Sequence, residues 1–130
     1  MAEEPVWIEL EALLVLHDRT IAQHGGAEGL REAGLLESAL VRPINRFQYE
    51  GVTDLPELAA TYADAISSNH PFVDGNKRAA FQAMTLFLRL NGRRLTASQV
   101  DAARTILSLA AGNLSSKDLP IWIRANCRPA

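Results

Sequence analysis

Apolar residues recur at helical spacing along nearly the whole chain. Leu10, Leu13, Leu14, His17 and Ile21 follow the i, i+3, i+4, i+7 rule and predict a first amphipathic helix that stops at Gly25-Gly26. Leu35, Leu36, Ala39 and Leu40 predict a short second helix ended by Pro43. From about Ile44 to Thr53 no period is evident, which reads as an exposed loop or flap. Asp54-Leu55-Pro56-Glu57 has the form of a capping box, with Asp54 as N-cap, and Leu58, Tyr62, Ala65 and Ile66 continue it as a third helix to Asn69. Pro71 must break that helix. From Asn76 to Leu90 the chain is apolar on most sides of a helix, as expected of a central element surrounded by others, and Asn91-Gly92 ends it. Thr96 and Gln99 suggest another capping box before Val100, Ala103, Leu107 and Ala110, and a last short helix is expected over Leu119 to Asn126 with Trp122 packed inward. With no repeat, low-complexity run or linker, residues 1–130 read as one all-α domain, a compact helical bundle around a central buried helix.

Composition narrows the class. At 130 residues, 48% hydrophobic and 22% charged, the chain is long enough to bury a core without disulfides. A net charge of −2 argues against a general binder of nucleic acid or anionic membranes, while leaving room for a local basic site. The single cysteine, Cys127, permits no internal disulfide, gives no metal-ligand spacing and reads as incidental. Met1-Ala2-Glu3-Glu4 is acidic and unlike a signal peptide, and no apolar run reaches membrane-spanning length, so a cytoplasmic protein is expected.

The candidate chemistry is concentrated in His70-Pro71-Phe72-Val73-Asp74-Gly75-Asn76-Lys77-Arg78, directly ahead of the apolar helix. His70, preceding a proline, is biased out of the helical region and onto a loop. The first N–H groups of a helix lack internal partners and favour anions. Gly75 lets backbone approach a ligand, and Lys77 and Arg78 add full positive charge. Arg78 can grip phosphate with two parallel bonds, Lys77 as a point charge, with Asn76 as a further phosphate contact. Asp74 would repel phosphate unless a metal intervenes, and Mg²⁺ held by Asp74 and phosphate oxygens resolves the conflict. Histidine exchanges protons near neutral pH, so His70 is the candidate general base beside a phosphate cradle. Each residue also has a plainer reading: a loop histidine, a carboxylate favourable to the helix dipole, a solvated Lys-Arg pair. Their concentration at one helix start favours function. Phe72 is read as a core anchor for the loop, His17 as a satisfied core histidine, and His24 as a helix-end residue. Neither histidine has zinc-ligand spacing.

The string resembles the motif of the Fic/Doc superfamily, and is nearer to its Doc (death on curing) branch. Gly29-Leu30-Arg31-Glu32-Ala33-Gly34-Leu35-Leu36-Glu37-Ser38-Ala39-Leu40, followed by Arg42-Pro43, is similar to the segment upstream of the motif in Doc-like proteins, and the Phe87-Leu88 to Asn91-Gly92 ending fits as well. The resemblance covers roughly residues 6 to 95. It implies the Fic/Doc-type helical fold, a divalent ion, and a catalytic set of His70, Asp74, Lys77 and Arg78, with Gly75, Asn76, Lys77 and Arg78 binding phosphate and Asp74 the metal. Neither a GxxxxGK[ST] loop nor protein-kinase signatures are present, in keeping with phosphate chemistry on a different scaffold.

Fic proteins mostly carry a second glycine after the Asn and a second Arg three positions after the first, and they transfer AMP. Here Lys77 and Phe81 stand in those places. The Doc branch is associated with the opposite nucleotide orientation. The resemblance therefore implies a toxin that moves the γ-phosphate of ATP, with Mg²⁺, to a protein hydroxyl, the known target class being a threonine of elongation factor Tu, which blocks translation. AMP transfer is the alternative, and a non-catalytic module holding a nucleotide or a partner helix a third. Many Fic proteins restrain themselves through a helix reading [S/T]xxxE[G/N], whose Glu pairs with the second Arg. Here Thr53-x-x-x-Glu57 is followed by Leu58, and that Arg is Phe81. The resemblance thus implies a separate, Phd-like antitoxin that folds across a groove. Arg31 to Arg42 would serve either a target-facing edge or simple helix packing.

Overall fold

A computed structural model describes residues 3–130; Met1 and Ala2 of the acidic N-terminal run lie outside it. Among the described residues six helices and a two-stranded sheet follow in the order α1 (Leu10–His24), α2 (Ala33–Glu50), α3 (Leu55–Asn69), α4 (Asn76–Leu90), β1 (Arg93–Leu95), α5 (Gln99–Ala110), α6 (Leu119–Ala125) and β2 (Cys127–Pro129). The chain is all-α in character, as its periodicity predicts. No helix among the described residues is long and apolar enough to cross a membrane.

The core lies between α3 and α4. Nine of the fifteen residues of α3 are buried, so it is the more enclosed of the two. Alanines 59, 60, 63 and 65 let α2, α4 and α6 approach it closely. Asp54 does cap α3: its Oδ2 accepts from the Glu57 N–H at 3.2 Å, with Pro56 in the first turn. The Glu57 side chain does not complete the box. It pairs instead with Arg46 at 3.8 Å. At the far end of α4, Asn91 accepts from the Val6 N–H and donates to the carbonyls of Val6 and Phe87, binding the N-terminal segment to the core. Trp7 then stacks on Phe87 and meets Phe47 edge-on.

The structure departs from the sequence expectations in α2, in α5 and at the C-terminus. Helix α2 does not end at Pro43, and most of the region expected as a loop is helical: the helix runs through the proline to Glu50, with Gly51 as its cap, and only Gly51 to Asp54 form a connection to α3. An interior proline costs about 3 kcal/mol in a free helix. Here Leu36, Leu40, Pro43 and Phe47 share a core-facing stripe. On either side of the proline, Arg42 pairs with Asp64 at 3.5 Å and Arg46 donates to Thr61 at 2.7 Å, tying those turns to α3. The cap of α5 is Ser98, whose Oγ accepts from the Asp101 N–H at 3.1 Å, rather than Thr96. Its buried face is Ala102, Ile106 and Leu109, while Val100 and Leu107 point outward at 62% and 52% exposure. The sheet was not foreseen. β1 and β2 pair antiparallel, with Leu95 opposite Cys127, which is buried rather than incidental. Trp122 is half-buried against the core, and the buried residues of α6 are Leu119, Pro120 and Ile123.

Tyr62, fully enclosed on α3, accepts the Ile8 N–H at 3.1 Å. Burial pushes its phenol from 10.0 up to about 12, a rise that the bond from Ile8 partly offsets. Because the folded value is raised, its contribution to stability is complete below pH 10 and is lost as the pH climbs towards 12. The loss should be on the order of 2–3 kcal/mol. Denaturant titrations at pH 9 and pH 12 should show Tyr62→Phe less stable at pH 9 and less sensitive to the change.

Candidate active site

The site is a turn between two helices that differ in what they present. Helix α3 ends at Asn69, and His70 caps it in the left-handed region with φ 50° and ψ 57°. It is the one non-glycine residue with positive φ among those described. The pre-proline bias does keep His70 out of the right-handed helix, and the mirror region is where it goes. Two residues later Phe72 turns inward to 1% exposure, the anchor that its position suggested. It stacks on His17 with ring centroids 3.7 Å apart. His17 is buried as expected, yet only half satisfied. Its Nε2–H donates to the Asp74 carbonyl at 2.8 Å, while Nδ1 has no partner.

Asp74 and Gly75 carry the chain into α4. The Asp74 carboxylate accepts from the Gly75 N–H at 2.8 Å and from the Ala27 N–H at 3.4 Å. Gly26 makes room for it: a β-carbon there would stand 2.7 Å from Asp74 Oδ2. Gly75 is left-handed at φ 77°, and a β-carbon on it would come within 3.3 Å of His17 Nε2. Both positions therefore favour glycine for space as well as conformation. Lys77 and Arg78 follow in the first turn of α4. Both are exposed, and neither joins an ion pair among the described residues, whereas Arg42, Arg46 and Arg124 are all paired.

Asp74, Gly75, Lys77 and Arg78 line a cleft of about 710 Å³ between α1, α4 and α5. Its other wall is largely apolar, from Ile21, Phe81, Ala103, Ile106 and Leu107. His70 is not in it. Beyond Lys77 and Leu107 a shallower hollow runs to Ala110, and Ala110 also borders the depression that contains His70. The structure thus brings Asp74, Gly75, Lys77 and Arg78 together at the cleft and leaves His70 in a separate depression.

Two residues play parts that the sequence did not assign. Asn76, read as a phosphate contact, first closes its amide on the loop: Oδ1 accepts the Phe72 N–H and Nδ2 donates to the Phe72 carbonyl, both at 2.9 Å. Arg31 lies beneath the turn. Its guanidinium donates from Nε to the His70 carbonyl and from Nη2 to that of Asn69, each at 2.9 Å. Around it Arg31 N–H bonds the Pro71 carbonyl, Val73 N–H bonds that of Gly29, and Leu30 bridges Phe72 antiparallel. Only the string Gly29-Leu30-Arg31, set apart between two helices, could have signalled this.

The donor set suits a magnesium ion. One exposed carboxylate beside a helix N-terminus and two unpaired cations matches a cation that takes one or two protein oxygens and completes its shell from phosphate and water. Among the described residues no three acidic, histidine or cysteine side chains gather to hold a metal alone. Replacing Asn76 with Ala should free the Phe72 peptide. Stability should fall by about 1–3 kcal/mol, and amide exchange at Phe72 should quicken relative to Phe87.

Comparison with known proteins agrees with the motif. Residues 7–88 match the model of the Fic/DOC family. The chain is 40% identical over 117 residues to "Protein kinase doc" of Escherichia phage P1, covering 90% of this chain and 92% of that one. It is 38% identical over 91 residues to "Toxin Doc" of Mycolicibacterium smegmatis, covering 67% and 68% of the two chains. A match across most of the helical core, through the turn from His70 to Arg78, means that this chain belongs to the Fic/DOC family.

Proposed function

We propose that this chain is a Doc-type toxin that transfers the γ-phosphate of ATP to a hydroxyl of a cytoplasmic protein, elongation factor Tu by resemblance to its branch. The observation that carries the reading is the placement of Lys77 and Arg78, unpaired, on the first turn of α4 at the mouth of one cleft, with the Asp74 carboxylate beside them. Phosphoryl transfer asks a protein mainly for positioning and for positive charge where phosphate oxygens develop charge. The N–H groups at the start of α4, Lys77 and Arg78 supply that charge. The apolar wall of Phe81, Ile106 and Leu107 offers a nucleoside a dry surface.

His70 is exposed in a depression outside the cleft, open to a hydroxyl arriving from outside the protein. It would accept the hydroxyl proton as the oxygen attacks the γ-phosphorus, while the bond from that phosphorus to the bridging oxygen breaks and ADP leaves. Asp74 would hold Mg²⁺ against the phosphates, and the ion's part is to neutralise their charge. The Gly75 and Ala27 N–H groups orient the carboxylate for that role. Lys77, standing where Fic proteins carry glycine, supports a γ-phosphate at the cradle rather than an α-phosphate.

A partner that restrains the toxin has a surface suited to it. Val100, Ala103, Leu107 and Ala110 make a second apolar stripe along α5, directed away from the core and partly into the cleft. An amphipathic helix from a Phd-like antitoxin would bury that stripe and cover the cations.

Transfer from ATP labelled separately at the α- and γ-phosphates into purified elongation factor Tu tests the activity. Label from the γ position alone is expected, and His70→Ala should lose at least 10²-fold, the lower end of about 10²–10⁴ for a general base. Label from the α position would establish AMP transfer instead. Unchanged transfer in the variant would exclude His70 as the base. For the partner, Val100→Glu should weaken antitoxin binding by about tenfold or more, equivalent to about 1.4 kcal/mol, with transfer unaffected, as measured by calorimetry and label transfer together.

A further inference from the structure

We propose that Arg31 is a positioning residue for His70, fixing the direction in which the side chain leaves the backbone by holding both peptide groups that flank its Cα. The inference rests on the reading of His70 as the base. The Asn69 carbonyl belongs to the peptide on the N-terminal side of His70, and the His70 carbonyl to the peptide on the other side. Arg31 bonds one with Nη2 and the other with Nε, each at 2.9 Å. A planar guanidinium presents these two donors in a rigid fork, so the planes whose relative rotation defines φ and ψ of His70 are set by one side chain. The Arg31 N–H extends the grip to the Pro71 carbonyl at 2.7 Å.

The turn needs such a grip. His70 is left-handed without being glycine, and it precedes proline, which narrows its choices further. A strained residue persists when its surroundings over-determine it, and here they do. Asn69 donates from Nδ2 to the Leu35 carbonyl at 3.0 Å, and the Gly29–Val73 and Leu30–Phe72 pairings close the other side. Arg31 also answers two carbonyls at the C-terminal end of α3, where helix carbonyls lack internal partners and a cation is favoured. A charge alone would satisfy that demand; a fork is needed to fix two planes. Lysine should therefore be a poor substitute.

The experiment compares wild type with Arg31→Met, Arg31→Lys and His70→Ala in steady-state phosphate transfer, together with ¹⁵N-edited spectra of the imidazoles. Arg31→Met should lower kcat by about 10–100-fold, as misplacement of a reacting group by an ångström does, with KM for ATP within about twofold. Arg31→Lys should recover little of it. The His70 ring signals should shift or broaden, while those of His17, buried against Phe72, stay in place. Full kcat in Arg31→Met, full rescue by lysine, unmoved His70 signals, or a loss in which His17 signals and melting temperature move too would each overturn the proposal. Absence of transfer by the wild type would count against the base reading alone, since the spectra report on ring placement without turnover.

Discussion

Phe72 is held from every side that matters to the site. Its ring is enclosed and stacked on His17, its peptide N–H and carbonyl are both taken by the Asn76 amide, and its main chain is bridged to Leu30. Buried aromatic area supplies the force. The hydrogen bonds supply the direction. Because this residue cannot drift, two helices that run out of phase in the sequence bring opposite ends to one turn. Helix α3 contributes its carbonyl end and His70; α4 contributes its N–H end, Lys77 and Arg78. A histidine and two unpaired cations are thereby set seven and eight residues apart in the chain, all of them outside the core.

The electrostatics follow from that placement. In a chain of net charge −2, three arginines are neutralised locally, Arg42 at Asp64, Arg46 at Glu50 and Glu57, and Arg124 at Asp54. Lys77 and Arg78 are left without such partners beside the positive end of α4. The nearby carboxylate, Asp74, is turned towards the N–H groups of Gly75 and Ala27. Its position depends on two glycines that leave room for an oxygen and for a histidine nitrogen. The cradle is thus kept open by the absence of side chains as much as by their presence.

Much of this was legible in the sequence, and what was missed has physical causes. The limits of α1 and α4, the Asp54 cap and the inward Phe72 follow from periodicity and local capping chemistry, which act within a turn or two of the chain. Pro43 misled because tertiary ties, Arg46 to Thr61 and Arg42 to Asp64, outweigh a local penalty. Helix α5 misled because it carries two apolar stripes, and spacing alone does not say which faces the core. The pairing of Leu95 with Cys127 and the grip of Arg31 on the turn join residues more than thirty positions apart. No local rule reaches that far. Among site residues, the types and the motif were evident, but the closing of Asn76 on its own loop was not.

The same long-range geometry bears on how such an activity would be restrained. Glu57, the residue that a built-in brake would use, pairs with Arg46 near the start of α3, thirteen residues from His70 and thus about 20 Å away along the helix axis. It borders a depression separate from the cleft, and Phe81 stands in the cleft where such a brake would need an arginine. The chain therefore offers that carboxylate neither proximity to the cleft nor the arginine at that position. What the cleft does offer is the outward stripe of α5, apolar surface that packs against nothing in the core and leads from Leu107 to the hollow beside Lys77. An occupant bound there would cover the cations of the cleft, so inhibition and recognition would fall on one surface. On this fold a brake supplied by a second chain would need no conformational change, only coverage.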